Sequence, residues 1–203
     1  GPAGGVSGAI FAARPAGAAN LITYDMGGTS TDVCLIEQLQ PLVTTEGTIA
    51  GFPVKTPQME IHTVGAGGGS IAWVDIVGAL RVGPQSAGAI PGPACYGRGG
   101  EEPTVTDANV MLGYLDPDYF LGGTMRLQPE RSEQAIRERV AGPLGVGLAE
   151  AAHGVFKLVN QNMVNGILTI TLRHGIDPRD FLLVCGGGAG PTHVAWIARE
   201  VGL

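Results

Sequence analysis

One stretch constrains this chain more than any other: Tyr24-Asp25-Met26-Gly27-Gly28-Thr29-Ser30-Thr31-Asp32-Val33. It joins two short apolar runs, Leu21-Ile22-Thr23-Tyr24 and Val33-Cys34-Leu35-Ile36. Apolar run, glycine pair, hydroxyl cluster, apolar run predicts a β-hairpin over about 21–37. Gly27 and Gly28 let the backbone approach an anion, and successive N–H groups in such a tip form a concave nest of donors. Thr29, Ser30 and Thr31 add hydroxyls. Asp25, ending the first strand, is placed to hold a hydrated Mg²⁺ that bridges phosphates, since Mg²⁺ keeps several waters and takes one or two carboxylates. A plain Gly-Gly reversal needs no row of three hydroxyls flanked by two aspartates. The stretch reads as a phosphate cradle.

Composition narrows the partners. The 203 residues suffice for one large domain or two small ones. With 34 Gly and 14 Pro the chain is loop-rich, yet 44% hydrophobic and 15% charged residues exclude disorder. Net charge is −6 and the lysines are Lys55 and Lys157, so no basic stripe exists for nucleic acid. A phosphate site here must draw on backbone N–H groups and metal rather than on lysine. Cys34, Cys95 and Cys185 are an odd number at wide spacings, with no C-x-x-C knuckle, and Cys34 and Cys185 read as core fillers. No apolar run approaches the ~20 residues that span a bilayer. The expectation is a cytoplasmic protein without a signal peptide or membrane contact.

The rest of the chain alternates strands and helices. Val6–Ala18 is a helix-compatible run of small residues interrupted by Gly8, Pro15 and Gly17. Short strands follow at 42–45 and 47–54, then period-two alternation over Met59–Val64. Ile71–Ile76 and Ala79–Val82 form a hairpin about Val77-Gly78, and Gly83–Pro103 is a long loop of functional or interface type. Thr106 is read as the N-cap of a helix carrying Val110, Leu112 and Leu115, and Pro129 as the first residue of a helix to Val140. Leu148, Ala152, Val155, Val159, Met163, Ile167 and Ile170 form one apolar stripe over about 148–174, a helix read as buried all round in its second half and stopped by Gly175. Phe181–Val184 is a buried strand, Gly186–Gly190 a turn, and His193–Val201 the last helix, so a helix N-terminus faces the turn.

The D-x-G-G-T-S-T-D hairpin resembles the phosphate loops of the actin–hexokinase–Hsp70 ATPase superfamily. Further blocks are similar to the hydantoinase A/5-oxoprolinase family: His62-Thr63-Val64-Gly65-Ala66-Gly67-Gly68-Gly69-Ser70, Pro91-Gly92-Pro93-Ala94-Cys95-Tyr96-Gly97-Arg98-Gly99-Gly100, Pro103-Thr104-Val105-Thr106-Asp107-Ala108-Asn109, and Asp177 through His193. The resemblance covers essentially the whole chain. It implies an α/β fold, an actin-like ATPase (ribonuclease H-like) lobe over 1–203 with an inserted glycine-rich region at about 55–125. It implies ATP and Mg²⁺ as cofactors, with Gly27, Gly28, Thr29, Ser30 and Thr31 at the phosphates and Asp25 at the metal. Gly186, Gly187, Gly188 and Gly190 would line the adenosine, and Asp25, Asp32 and His62 would be catalytic. The implied reaction is ATP-dependent opening of a cyclic amide such as a hydantoin, 5-oxoproline or lactam, with a hydantoinase B-type subunit or domain as partner in an oligomer. A related branch carboxylates ketones such as acetone. In this family a helix like Gly1–Ala19 joins two lobes, so the chain is expected to be a fragment with a first phosphate loop upstream, and to bind ATP weakly alone.

Rival chemistries are open at several points. Gly186–Gly190 fails as G-x-G-x-x-G because Pro191 holds the third glycine position, and no Walker A Gly-Lys pair exists. The same five residues also suit a strand-to-helix turn needing only small side chains. Gly65–Ser70 reads equally as a second anion or substrate cradle near His62 or as close packing on the opening helix. His62, Cys95 and Asp107 as a metal trio, and Asp75 with Asp107 as an acid pair, have no compelling spacing. A sugar kinase would need an E-x-G-H motif, which is absent, while a non-catalytic actin-like module would keep the nucleotide site alone.

Overall fold

The computed structural model describes residues 2–49 and 52–203; Gly1, Ala50 and Gly51, which fall within the predicted opening helix and the 47–54 strand region, lie outside the described residues. Helix α1 (Pro2–Ala13) runs through Gly8 and ends in a tight turn over Arg14–Ala16, closed by Gly17 at φ 69°. Strands β1 (Leu21–Met26) and β2 (Thr31–Glu37) form the predicted hairpin. Five short strands follow: β3 (Gln40–Pro41), β4 (Val43–Thr44), β5 (Gly47–Ile49), β6 (Phe52–Val54) and β7 (Gln58–Met59). Then come β8 (Ile61–Val64), β9 (Ser70–Val74) and β10 (Leu80–Ser86). Helices α2 (Val105–Met111), α3 (Pro129–Ile136), α4 (Gly142–Leu144) and α5 (Leu148–His174) precede β11 (Leu182–Gly186) and α6 (Gly190–Val201). The fold is α/β.

The chain divides into two compact units, one of Gly1–Asp25, Thr31–Val64 and Val164–Leu203, the other of Met26–Ser30 and Gly65–Met163. The first is built on a sheet of order β11-β1-β2-β3, with β8 also beside β2. β11 runs parallel to β1, while β3 and β8 are antiparallel to β2. Side chains alternate across a strand, so each strand serves two faces. On one face Leu21, Cys34 and Ile36 bury against Val6 and Ala13 of α1. On the other, His62 and Val64 lie over Gly166 of α5, where a Cβ would collide with the Val64 side chain. Both faces of β2 are covered, which is why Val33 through Ile36 are all buried.

The second unit holds the β9–β10 hairpin, α2–α4 and the first sixteen residues of α5. Its hub is Asp107. Fully buried, the carboxylate accepts from the backbone N–H groups of Ala94 (3.1 Å), Cys95 (2.8 Å) and Thr104 (2.9 Å) and from the hydroxyls of Thr104 and Ser132 (2.7 Å each). Thr104 returns the bond by accepting the Asp107 N–H, closing a capping box. The N-cap of α2 is therefore Thr104 rather than Thr106, because its extended backbone and the aspartate three residues on satisfy two orphan amides together. Asp75 lies apart from this hub, at the β9–β10 turn, paired with Arg81 at 2.8 Å.

Two other expectations change. α6 begins at Gly190, three residues before His193, since Pro191 suits a first turn whose N–H has no helical partner. The second half of α5 is not buried all round: Ile167 and Ile170 are buried, but Leu172 is 76% exposed. Its stop at Gly175, φ 66°, is as predicted.

Candidate functional site

The hairpin tip has a specific construction. Gly27 C=O accepts the Gly68 N–H at 3.0 Å, and Gly28 C=O accepts the Gly69 N–H at 2.6 Å. In a trans peptide the C=O and the following N–H point in opposite directions. Tying back these carbonyls therefore turns the Gly28 and Thr29 N–H groups outward, and neither has a protein acceptor among the described residues. Gly28 and Thr29 are exposed. Two adjacent outward donors are the elements of an anion nest.

The glycine pair is not demanded by the turn. Neither Gly27 nor Gly28 has a positive φ. A Cβ on Gly28 would meet nothing within 4 Å, and one on Gly27 would meet Ser30 O at 3.8 Å. The space beside Gly28 is open, so a side chain there would intrude on whatever approaches the two amides. Of the three hydroxyls, that of Thr29 lies 3.3 Å from Ser86 Oγ at the exposed surface and Ser30 is half-buried. Thr31 is fully buried in β2, outside the set of hydroxyls that reach solvent.

The carboxylates occupy the α1 face of the sheet. Asp25 and Asp32 both line a cavity of about 220 Å³ whose other wall is α1, at Gly5, Val6, Gly8 and Ala9. Asp25 Oδ2 would lie 2.9 Å from a Cβ on Gly5, so that glycine lets the helix pass close to the carboxylate. Asp32 accepts a 2.6 Å hydrogen bond from Thr63, its cross-strand neighbour. Two carboxylates on one cavity suit a cation that takes one or two of them. No group of three metal-ligating side chains exists among the described residues, so the His62, Cys95 and Asp107 trio does not form. His62 pairs in register with Val33, one residue from the Asp32–Thr63 pair, so it points to the α5 face. The sheet separates His62 from Asp25 and Asp32, and a shared catalytic role for the three does not follow from this geometry.

Because β11 is parallel to β1 and Asp25 is level with Gly186, the turn of Gly186–Gly190 leaves the sheet at the same edge as Asp25. Gly187 requires its glycine, at φ 79°, whereas a Cβ on Gly188 would meet nothing within 4 Å. Both are exposed, while Gly190 is buried at the start of α6. His193, on that helix, is fully buried, and burial pulls its pKa down to about 4, so it is neutral. Burial, then the Asp25 carboxylate, pushes the Cys185 thiol up; burial, then Glu60, pushes Cys34 up to about 11. Neither is a ready nucleophile, which requires thiolate. Cys185 is half-buried rather than core.

The loop Gly65–Ser70 packs on the hairpin tip rather than on α1. Gly67, Gly68 and Gly69 are buried, and a Cβ on Gly67 would lie 2.6 Å from Thr29 N. Asp107 was legible as part of a T-x-x-D capping pattern, Thr104 to Asp107, though not as the hub it forms.

The model of the hydantoinase/oxoprolinase family matches residues 1–203. The chain is 46% identical over 202 residues to caprolactamase subunit alpha of Pseudomonas jessenii, and 45% identical over 203 residues to the acetophenone carboxylase gamma subunit of Aromatoleum aromaticum. These matches take in 100% and 99% of the chain, which spans 29% and 28% of those relatives. Among solved structures, nucleotide-free acetone carboxylase superposes with TM-score 0.92 at 35% identity, and the ATP-dependent caprolactamase of Pseudomonas jessenii with 0.91 at 46%. Each superposition covers 100% of the chain and 29% of the solved one. The chain belongs to the hydantoinase/oxoprolinase family.

Proposed function

We propose that this chain supplies the phosphate-holding part of an ATP-dependent enzyme that opens cyclic amides, the lactam, hydantoin or 5-oxoproline class. The observation that carries this reading is the pair of outward N–H groups at Gly28 and Thr29, backed by carbonyls tied to Gly68 and Gly69. In the proposed site these amides hold phosphate oxygens, and Asp25, with Asp32 on the same cavity, holds Mg²⁺ through its waters. The Gly187–Gly188 turn takes the adenosine side, as in an actin-like lobe. The inserted glycine-rich region of this reading, about 55–125, overlaps the compact unit that contains Gly65–Met163. Bound Mg-ATP supplies the phosphoryl group that turns the amide oxygen into a leaving group. The residues here contribute position and charge neutralisation, the two demands of phosphoryl transfer. A B-type subunit or domain completes the assembly in this reading; the similar relatives are themselves named as subunits.

A second reading, ATP-dependent carboxylation of a ketone, is favoured by the likeness to acetophenone and acetone carboxylases. Substrate-stimulated ATP hydrolysis by the complete protein separates the two. Stimulation by caprolactam, 5-oxoproline or hydantoin supports the first, and stimulation that needs a ketone with bicarbonate supports the second. Asp25→Ala is expected to abolish either while leaving the circular dichroism spectrum unchanged. Normal ATP turnover by that folded variant would overturn the site.

A further inference from the structure

We infer that Thr106 is a positioning residue for the phosphate-binding amides, acting through the Gly68–Gly69 peptide; this rests on the proposed nucleotide site. Thr106 directs both its backbone N–H and its hydroxyl onto one acceptor, Gly68 C=O, each at 2.8 Å. Gly68 C=O and Gly69 N–H belong to the same rigid peptide unit, so fixing the oxygen aims the N–H the other way. That N–H meets Gly28 C=O at 2.6 Å. Gly28 C=O in turn shares its peptide with the Thr29 N–H, one of the two outward donors. Two peptide planes thus relay the orientation from Thr106 to Thr29 without any side chain between them.

The far end of the relay is held firmly. Thr106 is buried on the first turn of α2, beside Asp107, whose five accepted bonds lock that turn. At the near end, Gly67 allows the contact, since a Cβ there would lie 2.6 Å from Thr29 N and 2.7 Å from Gly28 C. A phosphate nest works only if its donors are already oriented, because reorientation on binding costs affinity. Thr106 removes the freedom of the peptide that would otherwise let Thr29 N–H swing.

The test compares Thr106→Val, which removes the hydroxyl at nearly constant shape, with Thr106→Ser, which restores it. In the complete protein Thr106→Val is expected to raise the Kd for Mg-ATP about five- to ten-fold, the size of one lost hydrogen bond, and Thr106→Ser to return it. Hydrogen exchange gives a readout independent of nucleotide: the Gly68–Gly69 amides should exchange faster in Thr106→Val and at the wild-type rate in Thr106→Ser. Unchanged exchange at Gly68–Gly69 overturns the relay whatever the nucleotide result. Faster exchange with unchanged ATP affinity overturns the positioning role while leaving the ATP site standing. Wild-type protein that binds no Mg-ATP overturns both.

Discussion

The chain contains two adjacent glycine clusters that look alike as letters and differ in kind. At the hairpin tip, Gly27 and Gly28 have ordinary backbone angles and open space around them, so the fold places no demand on them. In the supporting loop, Gly67 and Gly69 are buried, and any Cβ would strike the tip backbone within 3 Å. The supporting cluster is glycine so that two backbones can touch, whereas under the proposed function the tip cluster is glycine for the phosphate that approaches it. A substitution in the first should cost ligand, and in the second should cost stability.

The largest effect is expected at the anchor of the supporting loop. Asp107→Ala strands buried donors at Ala94, Cys95, Thr104 and Ser132, and should cost about 4 kcal/mol of unfolding free energy. A loss under about 1 kcal/mol in urea denaturation would mean the hub does not support the loop.

Acid is a control that touches neither cluster. His193 has a pKa of about 4 in the native state against 6.5 ordinarily. Between those values the unfolded chain binds a proton that the native chain does not, so stability falls as pH drops from 6.5 towards 4. The loss is about 3 kcal/mol at most, should be equal in wild type and Gly28→Ala, and should flatten in His193→Gln. A pH profile unaltered by His193→Gln would remove this cause.

The contrast itself is tested by paired alanines. Gly67→Ala should lose about 2 kcal/mol, by overpacking against the Gly28–Thr29 backbone. Gly28→Ala should stay within about 0.5 kcal/mol of wild type, yet weaken Mg-ATP binding about ten-fold. Equal stability losses in the two would erase the distinction.

The third cluster repeats the contrast inside a single turn. Gly187→Ala should cost about 1 kcal/mol, because φ 79° strains any L side chain. Gly188→Ala should cost almost none, and Gly188→Val should weaken nucleotide binding with an unchanged melting temperature. A lowered melting temperature with intact ATP affinity would make this a structural turn only.

Much of this was legible in the chain. The β1–β2 hairpin, the Asp25 carboxylate at its end, the 148–174 helix and its stop at Gly175 follow from local pattern and stand in the structure. Local pattern misread what depends on partners. Thr106 looks like a cap but its hydroxyl bonds a distant carbonyl, at Gly68, while Thr104 does the capping. Leu172 lies off the apolar stripe, in the half of α5 read as buried all round, yet is exposed, because burial depends on what the rest of the fold brings to that side.

What the sequence by itself determined is the inventory: a Gly-Gly-Thr tip between strands, carboxylates at either end of it, and a glycine turn opening a helix. These are set by chain neighbours, whose backbone preferences and spacing act over a few residues. The tertiary structure alone decided which groups lie on one face. It put His62 on the sheet face away from Asp25 and Asp32, since one step along a strand changes faces. It also set the direction of the Gly28 and Thr29 amides, since a peptide plane takes its orientation from the partner of its carbonyl, and that partner lies 41 residues along the chain.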